Sequence, residues 1–116
     1  DVCNKIGTYL KALAAADNNI PFYVALPRTT IDWTIHSGKD IPIEERDGAE
    51  VTHISGREGN GSVKRIQVTP DGTKAANYTF DVTPARLVTR LVTDQGTCAA
   101  SKEGLLKLFP QRRPQH

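Results

Sequence analysis

Between residues 5 and 16 apolar side chains recur at helical spacing, with Ile6, Leu10, Leu13 and Ala14 on one stripe, until DNN and Pro21 end the pattern. The run IPFYVALP, Ile20 to Pro27, follows almost at once: short, unbroken, aromatic and β-branched, with a proline near each end. It reads as a buried strand. A helix running directly into such a strand is the αβ half of a βαβ unit, and that juxtaposition points to an α/β fold with a parallel sheet flanked by helices. At 116 residues the chain holds one domain or a piece of one.

The rest of the chain is read more coarsely. Ile31 to Ile35 is an extended or turn segment beginning at the carboxyl end of the buried strand. Ile41 and Ile43 alternate around Pro42 as on an edge strand, and Asp47 can cap a short helix through Val51. GREGNG is a loop, and Val63, Ile66 and Val68 suggest short β segments closed by the PDG turn, so the 56–76 region is expected as a surface excursion. NYTFDVTP predicts a strand ending at Val82, with Thr83 as N-cap and Pro84 in the first position of a short ARLVT helix. Arg90 to Thr93 and Thr97–Cys98 are short strands about a QG turn, and Ser101 caps a last helix, KEGLLKLF, that stops at Pro110. The expected organisation is a domain over 1–109, incomplete at its N-terminal side, and a flexible tail over 110–116.

Charge and composition remove several function classes. The net charge is +2 with scattered basic residues, which gives no nucleic-acid footprint. No stretch approaches the roughly 20 apolar residues needed to cross a bilayer, and no signal-like segment opens the chain. Cys3 and Cys98 belong to no metal or redox spacing, which fits a reduced, cytoplasmic setting. His36, His53 and His116 share no ligand-like spacing, so no metal is expected. Glu44 and Glu45 would face opposite sides of a strand and suit a salt bridge with Arg46, or a subunit contact, rather than catalysis. Asp32 and Asp81 stand near strand ends where α/β sites form, and each either lines a pocket or shapes a turn. Phe22, Tyr23 and Trp33 suit core or interface, and Cys98 suits a small buried hydrophobe.

The opening DVCNKIGT carries the most chemical information. Asn4 and Lys5 stand where loop is expected to become helix, and there free backbone N–H groups and the helix dipole favour an anion. Lys5 adds a full charge, the Asn4 amide can both donate to and accept from sugar hydroxyls, and Gly7 permits close approach. A phosphorylated sugar is a sensible occupant, and a solvated cap is the plainer alternative. Asp1 can cap, and a chain opening this way, with no strand before its first helix, reads as cut from the middle of a larger protein.

NKIGTYLKALAA, IPFYVALP, TID, IPIEER and FDVTPARLVT occur in this order from Asp1 to about Phe109. Together they resemble the C-terminal, Rossmann-like part of the methylthioribose-1-phosphate isomerase family, two-domain aldose–ketose isomerases of methionine salvage. The NKIGT element alone is less specific, because it also resembles ribose-1,5-bisphosphate isomerase and the regulatory subunits of initiation factor 2B. The resemblance implies that Asn4 and Lys5 contact a sugar-phosphate substrate, that the full-length protein is a cytoplasmic homodimer, and that no metal or organic cofactor is needed. It carries over no catalytic residue, because the family's cysteine and proton-donating aspartate belong to earlier segments and Cys3 does not match that cysteine. The 116-residue chain alone is therefore expected not to turn over. The alternatives are a non-catalytic regulatory or scaffold protein related to initiation factor 2B subunits, or a sister isomerase for ribose 1,5-bisphosphate or 5-deoxyribose 1-phosphate.

Overall fold

The computed structural model describes residues 1–112. They fall into two compact units, one made of Asp1–Pro42 with the chain from Phe80 onward, the other of Ile43–Thr79. In chain order the first elements are β1 (Val2–Lys5), α1 (Thr8–Asp17), β2 (Tyr23–Ala25), α2 (Ala49–Thr52), β3 (His53–Arg57) and β4 (Val63–Gln67). β5 (Phe80–Thr83), β6 (Arg90–Thr93), β7 (Gly96–Cys98) and α3 (Lys102–Leu108) complete them, with short 3-10 turns between.

In the first unit, β2 pairs parallel with β6, as Tyr23 opposite Arg90 through Ala25 opposite Val92, and β6 turns back antiparallel onto β7. β1 pairs antiparallel with β5, from Val2 opposite Thr83 to Lys5 opposite Phe80. The fold is thus α/β with mixed sheets: the expected parallel pairing is β2–β6, and the other strand pairs are antiparallel. Val88, Leu91 and Cys98 form the buried cluster, and Val2, Val24, Leu26, Leu105 and Leu108 pack against it. The expected buried strand is shorter than its apolar run. Pro21 and Pro27 flank three paired residues, Val24 turns toward the core, and Tyr23 is exposed, because β2 is an edge of its sheet among the described residues.

Two expectations about the opening are overturned. A strand does precede the first helix, since pairing with β5 draws Asn4 and Lys5 into β1. Helix α1 therefore starts at Thr8, after Gly7 turns the chain at φ 100°, a left-handed conformation that glycine adopts without strain. The helical stripe also does not face a core here: Leu10 is 70% exposed and Ile6 50%, and Ala12 is the residue of α1 that is buried. The alanine-rich sequence TYLKALAAAD supplies the helix by propensity, and its end is closed by Asn18 and by Asn19 at φ 56°.

Elsewhere in this unit Ser101 caps α3 as expected, its Oγ accepting from the Gly104 N–H at 3.0 Å. Thr83 does not cap. It closes β5 as a fully buried residue whose hydroxyl has no hydrogen-bond partner, and ARLVT shortens to a 3-10 turn, Ala85–Leu87, entered from Pro84. Asp1 uses its carboxylate to accept from Gly38 N–H at 2.9 Å and Ala85 N–H at 3.0 Å, so it ties two turns together rather than capping α1. Phe109 is buried with the Trp33 ring edge-on at 6.0 Å, and the Arg112 guanidinium lies 5.8 Å from the Trp33 ring.

The second unit is a β3–β4 hairpin with Ile54 opposite Ile66, preceded by α2, where Asp47 accepts from Ala49 N–H at 2.9 Å. β4 and most of β3 are exposed, as expected of a surface excursion, although β3 was not legible in its HISGR sequence. Ile41 and Ile43 form no strand. Pro42 lacks the N–H a ladder requires, and the bridge that does form is Glu45 with Tyr78. The tail expected over 110–116 begins as a 3-10 turn, Pro110–Arg112, and its last four residues, with His116, lie outside the described residues.

Candidate functional site

The junction between β1 and α1 is built by β5. Antiparallel register sets Asp81 directly opposite Asn4, and paired residues of such a ladder share a face of the sheet. The Asp81 carboxylate accepts from Gly7 N–H at 2.8 Å and from Tyr9 N–H at 3.2 Å. It is a cap supplied from a neighbouring strand, held by charge-assisted hydrogen bonds. Thr8 adds a bond from its hydroxyl to the Lys5 carbonyl at 2.6 Å. The Gly7 and Tyr9 amides at the helix start are thus held by the protein's own carboxylate. Asp81 ties the turn before α1 through Gly7 and Tyr9.

Asn4 and Lys5 are both exposed. Among the described residues neither side chain makes a hydrogen bond or ion pair with the protein. As neighbours on a strand they leave opposite faces of β1, Asn4 beside Asp81 and Lys5 on the face of Cys3. The backbone between them is fixed while the two polar ends are left to solvent. A ligand touched by both would straddle the end of the strand, met on one side by a short amide and on the other by an ammonium on a four-carbon stem.

The other candidates serve structure. Asp32 accepts from the Thr34 N–H at 2.8 Å and its hydroxyl at 2.6 Å, the turn-shaping role, and those bonds hold its carboxyl below the usual range. Arg46 pairs with Glu50, four residues on in the short α2, rather than with Glu44 or Glu45, its Nε lying 3.0 Å from a Glu50 oxygen. His53 Nδ1 lies 2.8 Å from the Thr52 hydroxyl, and no cluster of ligating side chains occurs among the described residues. Burial, and then the Asp81 charge, push the Cys3 thiol up, and burial pushes up Cys98 against a smaller pull from Arg90. Neither cysteine has the lowered pKa of an activated nucleophile. No helix among the described residues is long and apolar enough to cross a membrane.

Sequence reasoning missed the ion pair Arg28–Asp94. It joins the loops at the carboxyl ends of the parallel strands β2 and β6, where Asp94 accepts from both the Arg28 guanidinium and its N–H, the latter at 3.0 Å. Nothing in a linear reading places residue 28 beside residue 94 except the parallel register itself.

Residues 1–100 match the model of the initiation factor 2 subunit family. The chain belongs to that family. A relative from Paramagnetospirillum magneticum named methylthioribose-1-phosphate isomerase is 66% identical over 113 residues, which are 97% of the present chain and 31% of that protein. A crystal structure of 5-methylthioribose 1-phosphate isomerase from Pyrococcus horikoshii OT3 superposes with a TM-score of 0.78 at 40% identity, covering 95% of the present chain and 28% of that one. The delta subunit of translation initiation factor eIF-2B from A. fulgidus does so with a TM-score of 0.76 at 38% identity, covering 94% and 29%. The present member of the initiation factor 2 subunit family thus spans about a third of the length of the relatives it matches.

Proposed function

We propose that this chain is the C-terminal part, with its Rossmann-like domain over 1–109, of an aldose–ketose isomerase that converts 5-methylthioribose 1-phosphate to 5-methylthioribulose 1-phosphate. The observation that carries the reading is the 66% identity, over nearly the whole chain, to a protein whose name states that substrate and reaction. Asn4 and Lys5, both exposed and without side-chain hydrogen bonds among the described residues, suit the binding chemistry the reading needs.

The substrate's anomeric oxygen is locked in a phosphate ester, so the ring cannot open as a free sugar's does. An acid must assist opening, after which one hydrogen moves from C2 to C1 with no net oxidation. Asn4 suits the sugar hydroxyls, to which its amide can donate and accept. Lys5 supplies a cation for the developing or resident negative charge, and both act by holding the sugar in place rather than by making bonds. The two free thiols fit a reducing cytoplasm. A homodimer is the proposed assembly of the complete protein.

The test follows ring-proton and phosphorus NMR signals of 5-methylthioribose 1-phosphate mixed with the complete gene product. Ribose 1,5-bisphosphate and 5-deoxyribose 1-phosphate are run in parallel. Conversion of the methylthio sugar alone, or far faster than the others, supports the reading. Conversion of another sugar in preference assigns a sister isomerase, and inertness toward all three favours the regulatory class represented by the delta subunit structure.

A further inference from the structure

The Asp81 carboxylate bonds two backbone amides, and its bonds converge on the turn that follows Lys5. It faces Asn4 in the β1–β5 register, and it holds the amides of Gly7 and Tyr9. Gly7 sits at φ 100°, and because glycine moves freely between conformations the Asp81 bonds to Gly7 and Tyr9 help to fix this one. The Thr8 hydroxyl clamps the Lys5 carbonyl from the other side. Among the described residues Asn4 and Lys5 make no side-chain hydrogen bonds, so their direction follows the backbone, which β5 pairing, Thr8 and Asp81 hold at this junction. A neutral residue there would surrender the charge at the helix N-terminus and loosen the turn through Gly7.

We infer that Asp81 is the positioning residue of the sugar-phosphate site: reaching across from β5, it locks the β1–α1 turn so that Asn4 and Lys5 flank the ligand from the two faces of the strand. The inference rests on the isomerase reading above and adds to it a residue that does not touch the substrate. It also has a consequence for the site's electrostatics. Because the carboxylate already occupies the Gly7 and Tyr9 amides, those two donors are not open to a ligand, and the full positive charge at this junction is the Lys5 ammonium.

The experiment measures steady-state kinetics on 5-methylthioribose 1-phosphate with the complete gene product and its Lys5→Ala, Asp81→Asn, Asp81→Ala and Lys5→Ala/Asp81→Ala variants, alongside thermal melting of each. Positioning predicts that Asp81→Asn raises KM about fivefold and Asp81→Ala more than tenfold while kcat stays within about twofold. It also predicts that the double variant loses less than the two single losses combined, because part of what Asp81 does is exerted through Lys5. A purely structural cap would lower the melting temperature and the active fraction, leaving KM unchanged, and that result overturns the inference. Additive losses in the double variant overturn it as well. If the unsubstituted protein does not convert the substrate, the isomerase reading fails and the inference falls with it. If that protein is active and only the Asp81 variants keep a normal KM, the inference alone fails.

Discussion

At the scale of single residues the molecule uses its carboxylates as ties. Asp1, Asp32, Asp47, Asp81 and Asp94 each accept from a backbone N–H, and three of these bonds join segments far apart in sequence. Asp94 shows the pH consequence. Its hydrogen bonds to Arg28 hold its carboxyl below the ordinary range, so the folded chain binds that proton at lower pH than the unfolded chain. The contribution is complete above the ordinary aspartate value, about 4, and is lost as pH falls through the lower folded value. Thermal melting of the parent and Asp94→Asn proteins is expected to show a lower Tm for the variant at neutral pH, with the difference shrinking as the pH is taken below about 4. A difference that stays constant into acid would contradict this role for the pair. None of the long-range ties was legible in the sequence, because an aspartate's partner amide is fixed by strand register and not by its neighbours in the chain. Only the local ties, Asp47 to Ala49 and Asp32 to Thr34, could be read directly.

At the scale of elements, legibility followed locality. The Ser101 cap and the apolar segment that becomes β6 were readable because turn chemistry and apolar runs act over a few residues, and the IPFYVALP run pointed to parallel pairing without naming its partner. The helix start was misread by three residues, because NKI continues the helical spacing while β5 offers Asn4 and Lys5 a ladder that outcompetes it. The turn beneath this ladder makes its own prediction. A methyl group on Gly38 would stand 2.5 Å from Val82 Cγ1 and 2.8 Å from Asp1 Cβ, so the 3-10 turn over Gly38–Asp40 packs against β5 with no room to spare. Gly38→Ala is expected to destabilise by about 1–3 kcal/mol, as overpacking does. Chemical denaturation that found the variant as stable as the parent would show that this packing relaxes freely.

At the scale of the whole molecule the two units differ in what holds them. The first carries the buried cluster around Val88, Leu91 and Cys98, whereas the hairpin of the second leaves Ile54, Val63 and Ile66 all more than half exposed. A two-stranded ribbon with no covered face is marginal by itself, and local opening follows buried contact rather than hydrogen-bond number. Amide exchange is therefore expected to be faster across Val63–Gln67 than at Leu91 and Val92. Equal protection in the complete protein would mean that the hairpin's apolar face is covered there. The composition of the 56–76 stretch announced an exposed excursion, but β3, which lies mostly ahead of it at His53–Arg57, was not legible, because its pairing depends on β4 and not on its own propensity.

What joins these scales is the junction where β1 becomes α1, with its backbone tied by Asp81 and two exposed side chains assigned to a sugar phosphate. The most direct measurement compares KM for 5-methylthioribose 1-phosphate between the complete gene product and its Asn4→Ala/Lys5→Ala double variant. Among the described residues neither side chain makes a hydrogen bond or ion pair, so the melting temperature is expected to stay the same. Loss of a hydrogen bond to a charged group costs about 1.5–3 kcal/mol, which predicts a KM raised at least about tenfold. An unchanged KM in a folded, active double variant would contradict the account.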